Sequence, residues 1–385
     1  MIDLVDRPRC PRPRARWIES NRDRPARGVQ RPLPRVPRTE QDDDGTRRAG
    51  TTRIAIAPPE FLPMWAVVRS LSLSIAASAV PALVRPGLPV PRGVGAIGDS
   101  YTDEYRFYEP DRATALSWVE LLSLARGLNF GPFSMEDLGP PRHRGFAFNW
   151  ARSGATSDDG IAEGQHTGLA SQIASGEVDL AYVFLGGNDF IEALDPDRSW
   201  SPATMAGIAS RAGENLERIV GTLLDASPSA RVIVATVPGL RGLPEIRDRL
   251  ALGLIDRGRL DAASQALRRF NAGLRGLVRR SARVGLADLE LEARVAEAVL
   301  PRFVRVGGRW IDRQEPGNGP GHLFLADGRH VGTVGQGLIA QRFVRSAFVQ
   351  FGLGIRPLSH REIVALAGST APMAEVEPAL AAGGS

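Results

Sequence analysis

Between Arg92 and Gly354 short apolar runs alternate with longer amphipathic ones, and that alternation confines the chain to one fold class. The runs Val94–Ile97, Phe146–Asn149, Leu180–Leu185, Val232–Val237 and Val284–Ala287 are strand candidates. They lack the period-two alternation of a strand with one wet face, so each is expected to be covered on both sides. Helical stretches fall between them, near 113–127, 166–175, 203–226, 258–282 and 290–299. In 203–226, Ile208, Leu216, Ile219, Val220, Leu223 and Leu224 gather mostly on one side, the stripe of a helix lying on a core. Strands separated by helices predict an α/β domain over residues 92–366, three layers α/β/α around a central parallel five-stranded sheet. Two irregular insertions read either as ordinary surface loops or as walls of a substrate cleft: Asn129–Gly145, and a hairpin turning at Gly307-Gly308 followed by the loop Glu315–Gly321.

Three short stretches close predicted strands, and a parallel sheet would bring them to one edge. They are Gly98-Asp99-Ser100, Asn149-Trp150-Ala151-Arg152-Ser153-Gly154 and Gly186-Gly187-Asn188-Asp189. A fourth, Asp327-Gly328-Arg329-His330, precedes the last long helix candidate. Each has a simpler reading alone: Ser100 and Asn188 as caps, Gly154 as a turn glycine, His330 as a helix-start residue. Together they supply the parts of an acyl-transfer site. A serine hydroxyl is a weak nucleophile at neutral pH and needs a base, which His330 can be. Asp327, three residues earlier, can reach the other imidazole nitrogen and fix its tautomer. The N–H groups of Ser100 and Gly154 and the Asn188 amide would serve a developing oxyanion. Asp99, Tyr101 and Asp189 flank these residues and are expected to line the substrate pocket.

The set resembles the SGNH hydrolases, also called the GDSL lipase/acylhydrolase family, whose four blocks carry the Ser, Gly, Asn and His matched by Ser100, Gly154, Asn188 and His330. The resemblance spans about Gly93 to Phe351, and Asp103 stands where many members have an acid after the serine. Tyr101 replaces the leucine of the name motif, and Ala151-Arg152-Ser153 replaces the commoner glycine-rich run before Gly154. The resemblance implies a flavodoxin-like α/β/α fold, serine esterase chemistry, and neither metal nor cofactor. Substrates across the family include lipid esters, acetylated sugars, thioesters and aryl esters. Trp150, Trp310, Arg142 and Arg144 incline the reading toward a polar or sugar-based ester. Two alternatives stay open: an O-acyltransferase acting on a carbohydrate with the same residues, and a catalytically silent binding protein.

Charge bears on partners. The formal net charge is +5, but the first 60 residues hold 14 Arg against 9 acids, while the remaining 34 Arg and 34 acids cancel. The body is therefore not read as a nucleic-acid binder. No aromatic-interleaved basic patch, phosphate loop or zinc-type spacing among His143, His166, His322, His330 and His360 occurs in the sequence. Residues 1–63 are Arg/Pro-rich and read as a disordered leader, a nucleic-acid arm or a stretch upstream of the true start. Residues 64–91 hold a signal-like segment and linker: Met64 through Arg69, an apolar stretch too short to span a bilayer, and an Ala77-Ser78-Ala79 exit. That predicts export if translation begins near Met64 and a cytoplasmic protein otherwise; a buried helix or an uncleaved anchor are the alternatives. The one cysteine, Cys10, lies in the leader, so the body has no disulfide. Residues 367–385 read as a flexible tail.

Overall fold

Five small or apolar residues, Val94–Gly98, form strand β1, and all five are buried. The computed structural model describes residues 87–136 and 144–368, all within the unit Leu62–Ser385. After β1 come helix α1 (Trp118–Arg126), short strands β2 (Phe133–Ser134) and β3 (Gly145–Phe146), and helices α2 (Ser157–Ala162) and α3 (Gln165–Ala174). Next are β4 (Leu180–Phe184), α4 (Gly187–Glu192), α5 (Pro202–Ala226), β5 (Arg231–Ala235), α6 (Pro244–Ala251), α7 (Arg257–Arg280), β6 (Val284–Ala287) and α8 (Leu289–Val299). The hairpin β7 (Phe303–Val306) and β8 (Arg309–Asp312) and helices α9 (Thr333–Phe351) and α10 (His360–Gly368) complete the described order.

The central sheet is parallel, in the order β1-β4-β5-β6, with Gly98 opposite Phe184 and Val94 opposite Leu180. The expected fifth strand, Phe146–Asn149, is reduced. Phe146 pairs antiparallel with Phe133, and only Asn149 makes a parallel bridge, to Ala96. Gly145 has φ +97°, and Asn149 N–H donates back to Phe146 O at 2.9 Å, so the chain bends before a ladder can extend. The segment still flanks β1: Trp150 N–H donates to Ala96 O at 2.8 Å and Arg152 N–H to Gly98 O at 3.1 Å.

Helices cover both faces. α1, α9 and α10 pack together on one, and α2, α3, α5 and α7 on the other. On the first face the Trp118 ring meets Phe343 at 4.6 Å and Tyr182 at 5.3 Å between centroids. Truncating such a buried aromatic costs about 3–5 kcal/mol. On the second, α5 buries Met205, Ala209, Ala212, Leu216, Ile219, Val220 and Leu223, a stripe at helical spacing. Its start is fixed by Ser201, which accepts from Thr204 N–H, and by proline at the first position.

The Gly-Gly hairpin forms, with both Gly307 and Gly308 at positive φ. Against that turn packs α10, so His360 begins a helix and Ala367 and Gly368 end it; they are not a tail. Residues 1–86, which hold the leader and the signal-like run, and 369–385 lie outside the described residues, as do Arg142 and His143.

Candidate active site

Gly98 ends β1 in a turn tight enough that a Cβ there would lie 2.5 Å from Thr102 Oγ1 and 2.8 Å from Phe184 O. The turn is closed by Thr102 and Asp103 N–H groups on Asp99 O, and by Tyr101 N–H on Asp99 Oδ1 at 3.0 Å. It leaves Ser100 at the carboxyl edge of the sheet. Across the edge, the loop after the β7–β8 hairpin brings His330 alongside, with its Nε2 2.8 Å from Ser100 Oγ. His330 Nδ1 lies 2.5 Å from Asp327 Oδ2. Asp327 Oδ1 accepts from the N–H groups of Arg329 and His330, both at 2.9 Å, which makes its carboxylate part of the turn that carries the imidazole. Tyr101 and Tyr105 rings stand 5.8 and 6.2 Å from the imidazole, and Tyr101 OH donates to Arg329 O at 2.6 Å.

The second and third blocks join the same edge. Gly154 has φ +85° and is exposed, with open space where a Cβ would be. Asn188 stands in the first turn of α4, and its Nδ2 donates to Ala155 O at 3.0 Å, tying the two blocks together. Gly186 is needed before it, at φ +113° and with a Cβ position 2.7 Å from Phe270.

Asp99 and Asp189 turn their carboxylates back onto the protein. Asp99 is buried and holds its own turn, while Asp189 accepts from Ser157 N–H at 2.9 Å and Ser157 Oγ at 2.6 Å at the start of α2. Trp150 also turns onto the protein: its ring packs on Gly168 of α3 and its Nε1 donates to Gln172 at 2.8 Å. Trp310 is exposed on the hairpin and Arg144 covers the Phe107 ring.

Burial lowers the His330 imidazole below its ordinary 6.5, against the raising effect of the Asp327 hydrogen bond and charge. The imidazole therefore stands neutral at neutral pH. Burial would raise Asp327, but the His330 hydrogen bond and charge and two backbone N–H groups overcome it and hold the carboxyl at about 2. Asp99 goes the other way: burial, against the Tyr101 N–H and with the Asp189 charge, raises it to about 7.

Three supporting residues carry no local signature. Buried Arg112 donates to Ser100 O at 3.3 Å and Ser153 Oγ at 2.7 Å. Glu245 pairs with Arg329 inside the Asp327–His330 loop. Gln336, at the start of α9, donates to Tyr101 O at 3.2 Å and Tyr105 OH at 2.6 Å. Among the described residues no three His, Cys, Asp or Glu side chains are grouped to hold a metal ion.

A parallel α/β sheet with serine, histidine and aspartate in a hydrogen-bonded line at its carboxyl edge has the layout of an acyl-transfer site. The model of the family described as GDSL-like Lipase/Acylhydrolase matches residues 94–343, and the chain belongs to that family and is an ester-acting hydrolase. Among solved structures it is similar to a Clostridium thermocellum family 3 carbohydrate esterase, at 15% identity and TM-score 0.36, covering 72% of this chain and 98% of that one. It is similar also to the C-terminal catalytic domain of Streptococcus pneumoniae peptidoglycan O-acetyltransferase A, at 12% identity and TM-score 0.35, covering 71% and 100%. A lipase from a goat rumen metagenome aligns at 13% identity and TM-score 0.41, covering 66% and 97%. No curated protein sequence matches.

Proposed function

We propose that the chain cleaves a carboxylic ester through a covalent acyl-Ser100 intermediate. The observation that carries this reading is the continuous line from Ser100 Oγ through His330 to Asp327. Ser100 Oγ attacks the ester carbonyl as His330 Nε2 takes its proton, and Asp327 holds Nδ1–H and stabilises the imidazolium. Charge on the carbonyl oxygen is met by the N–H groups of Ser100 and Gly154 and by the Asn188 amide hydrogen not spent on Ala155 O. Collapse expels the alcohol, which takes the proton from His330. Water, activated by the same base, then releases the acid.

The substrate is a small-molecule or glycan ester, and the Tyr101 ring stands 5.8 Å from the imidazole of the base. The cancelling charge of the body supports no nucleic-acid partner. Among the described residues no helix is long and apolar enough to cross a membrane. The apolar run after Met64 supports export of the domain. A sugar hydroxyl in place of water would make the same acyl-serine a transferase intermediate, and product analysis with and without a carbohydrate acceptor separates the two.

The test is a fluorophosphonate probe followed by peptide mass spectrometry and a panel of p-nitrophenyl esters. Ser100 is expected to carry the label and short esters to be turned over. Labelling of another serine, or no label and no turnover, overturns the proposal.

A further inference from the structure

The three-residue helical turn Arg112–Thr114 places a guanidinium between the first and second blocks. Arg112 is 8% exposed, so its charge has been taken almost wholly out of water. Burying a cation is costly unless it is paired or hydrogen-bonded where it lies. Its Nη1 donates to Ser100 O at 3.3 Å and its Nη2 to Ser153 Oγ at 2.7 Å. The guanidinium lies 3.7 Å above the centroid of Tyr108, and the Tyr105 ring is 5.6 Å away. Both oxygens it holds are uncharged, so their purpose is geometric: one fork spans two chain segments.

Those segments are held from their other sides as well. The peptide after Ser100 has its C=O on Arg112 and its N–H on Asp99 Oδ1 at 3.0 Å. Ser153, next to Gly154, has its Oγ on Arg112 and its N–H on Asp103 Oδ2 at 2.8 Å. The Tyr108 hydroxyl donates to that same Asp103 oxygen at 2.5 Å, so the ring beneath the guanidinium is itself fixed. Ser100 and Gly154 supply two of the three oxyanion donors proposed above, and Arg112 hydrogen-bonds Ser100 itself and the residue next to Gly154.

We infer that Arg112 is a positioning residue that sets the spacing of the Ser100 and Gly154 N–H groups for the transition state, a role that rests on the acyl-serine reading. Its cation also acts on the base. His330 is faced by Asp327 and Arg329 from its own loop, by the Tyr101 and Tyr105 rings, and by Arg112 from across the edge. Of these, the charges of Arg112 and Arg329 lower the imidazole and Asp327 raises it.

The experiment compares Arg112→Lys, Arg112→Gln and Ser153→Ala with the wild type, after labelling has located the wild-type nucleophile. Lysine keeps the charge but not the fork, so kcat should fall roughly 10–10²-fold, as for a misplaced catalytic geometry, with KM within about twofold. Glutamine should lose a similar factor and also move the acid limb of kcat/KM to higher pH, since His330 loses a neighbouring cation. Ser153→Ala removes one arm only and should show a smaller kcat loss with an unmoved limb; it carries the test if the Arg112 variants do not fold. Folded Arg112→Lys and Ser153→Ala with wild-type kcat, or losses confined to KM, would overturn the positioning role alone. An unlabelled wild-type Ser100 would instead sink the acyl-serine reading and this role with it.

Discussion

Arg329 meets Glu245 with two parallel hydrogen bonds of 2.6 Å, and Arg329 lies between Asp327 and His330 in the chain. Glu245 N–H also donates to Gly328 O at 3.1 Å, and Gly328 sits at φ +66° with a Cβ position 3.1 Å from that nitrogen. The start of α6 thus holds the Asp327–His330 turn from outside, while Tyr101 OH holds it from inside at Arg329 O.

Glu245→Ala should therefore loosen the catalytic turn as well as lower stability. A bidentate pair between partly exposed groups is worth about 1–2 kcal/mol, between the values for surface and buried pairs. Thermal melts should show that loss, and kcat should fall about tenfold through misplacement of the base. An unchanged kcat beside a lowered melting temperature would make α6 a support of the fold and not of the site.

Asn188→Ala removes a donor to Ala155 O and the amide hydrogen proposed for the oxyanion. Loss of one such donor lowers kcat by roughly 10²–10³-fold. The drop should appear equally in kcat and kcat/KM, because the donor acts on charge that exists only in the transition state. The lost bond to Ala155 should cost stability only about 1 kcal/mol. A change confined to KM would move Asn188 to substrate binding.

Most of the site was legible because its parts lie in short stretches with local chemistry. Asp327 and His330 are three residues apart, and the strand ends before Ser100 and Asn188 are marked by glycines that the turns require. What supports the site was not legible. Glu245 and Arg329 are separated by 84 residues, and Arg112 and Ser153 by 41, so no local pattern joins them. Helices α2 and α4 span six residues each, too short for an apolar period, and α4 opens on Gly187-Asn188, which reads as loop. The fifth strand failed for a similar reason: its apolar run is real, but the positive φ of Gly145 and the turn at Asn149 are backbone events.

Asp99 should leave a mark on the pH dependence of stability. Its carboxyl is raised from 3.8 to about 7 in the folded protein, chiefly by burial. Between those values the folded state binds more protons than the unfolded one, so this group's contribution is complete below about pH 4 and falls as pH rises toward 7. Histidines lowered by burial, His166, His330 and His360, act in the opposite direction up to their ordinary value. The informative quantity is the difference between wild type and Asp99→Asn, in which those shared effects cancel. Melting temperatures at pH 5 and pH 8 should show the variant gaining on the wild type at the higher pH. A constant difference would mean that Asp99 is ionised across the range.

Ser100 and His330 should behave as one unit, because the proposed attack passes the proton across the 2.8 Å contact from Oγ to Nε2. Alanine at either position is expected to lower kcat by on the order of 10⁴–10⁶-fold, and the double variant should be little worse than the more damaged single one. Asp327→Ala should cost less, since its carboxylate orients Nδ1–H and stabilises the imidazolium without taking the proton. With Asp327 intact, kcat/KM should fall at acid pH with a limb below 6.5, because burial lowers the imidazole. Removing Asp327 takes away a raising influence, so any residual activity should persist to still lower pH. Kinetics of the four variants across pH, with fluorophosphonate labelling of each, make the check. Losses at Ser100 and His330 that multiply in the double variant would show two groups acting independently, and the nucleophile–base pair would have to be sought elsewhere.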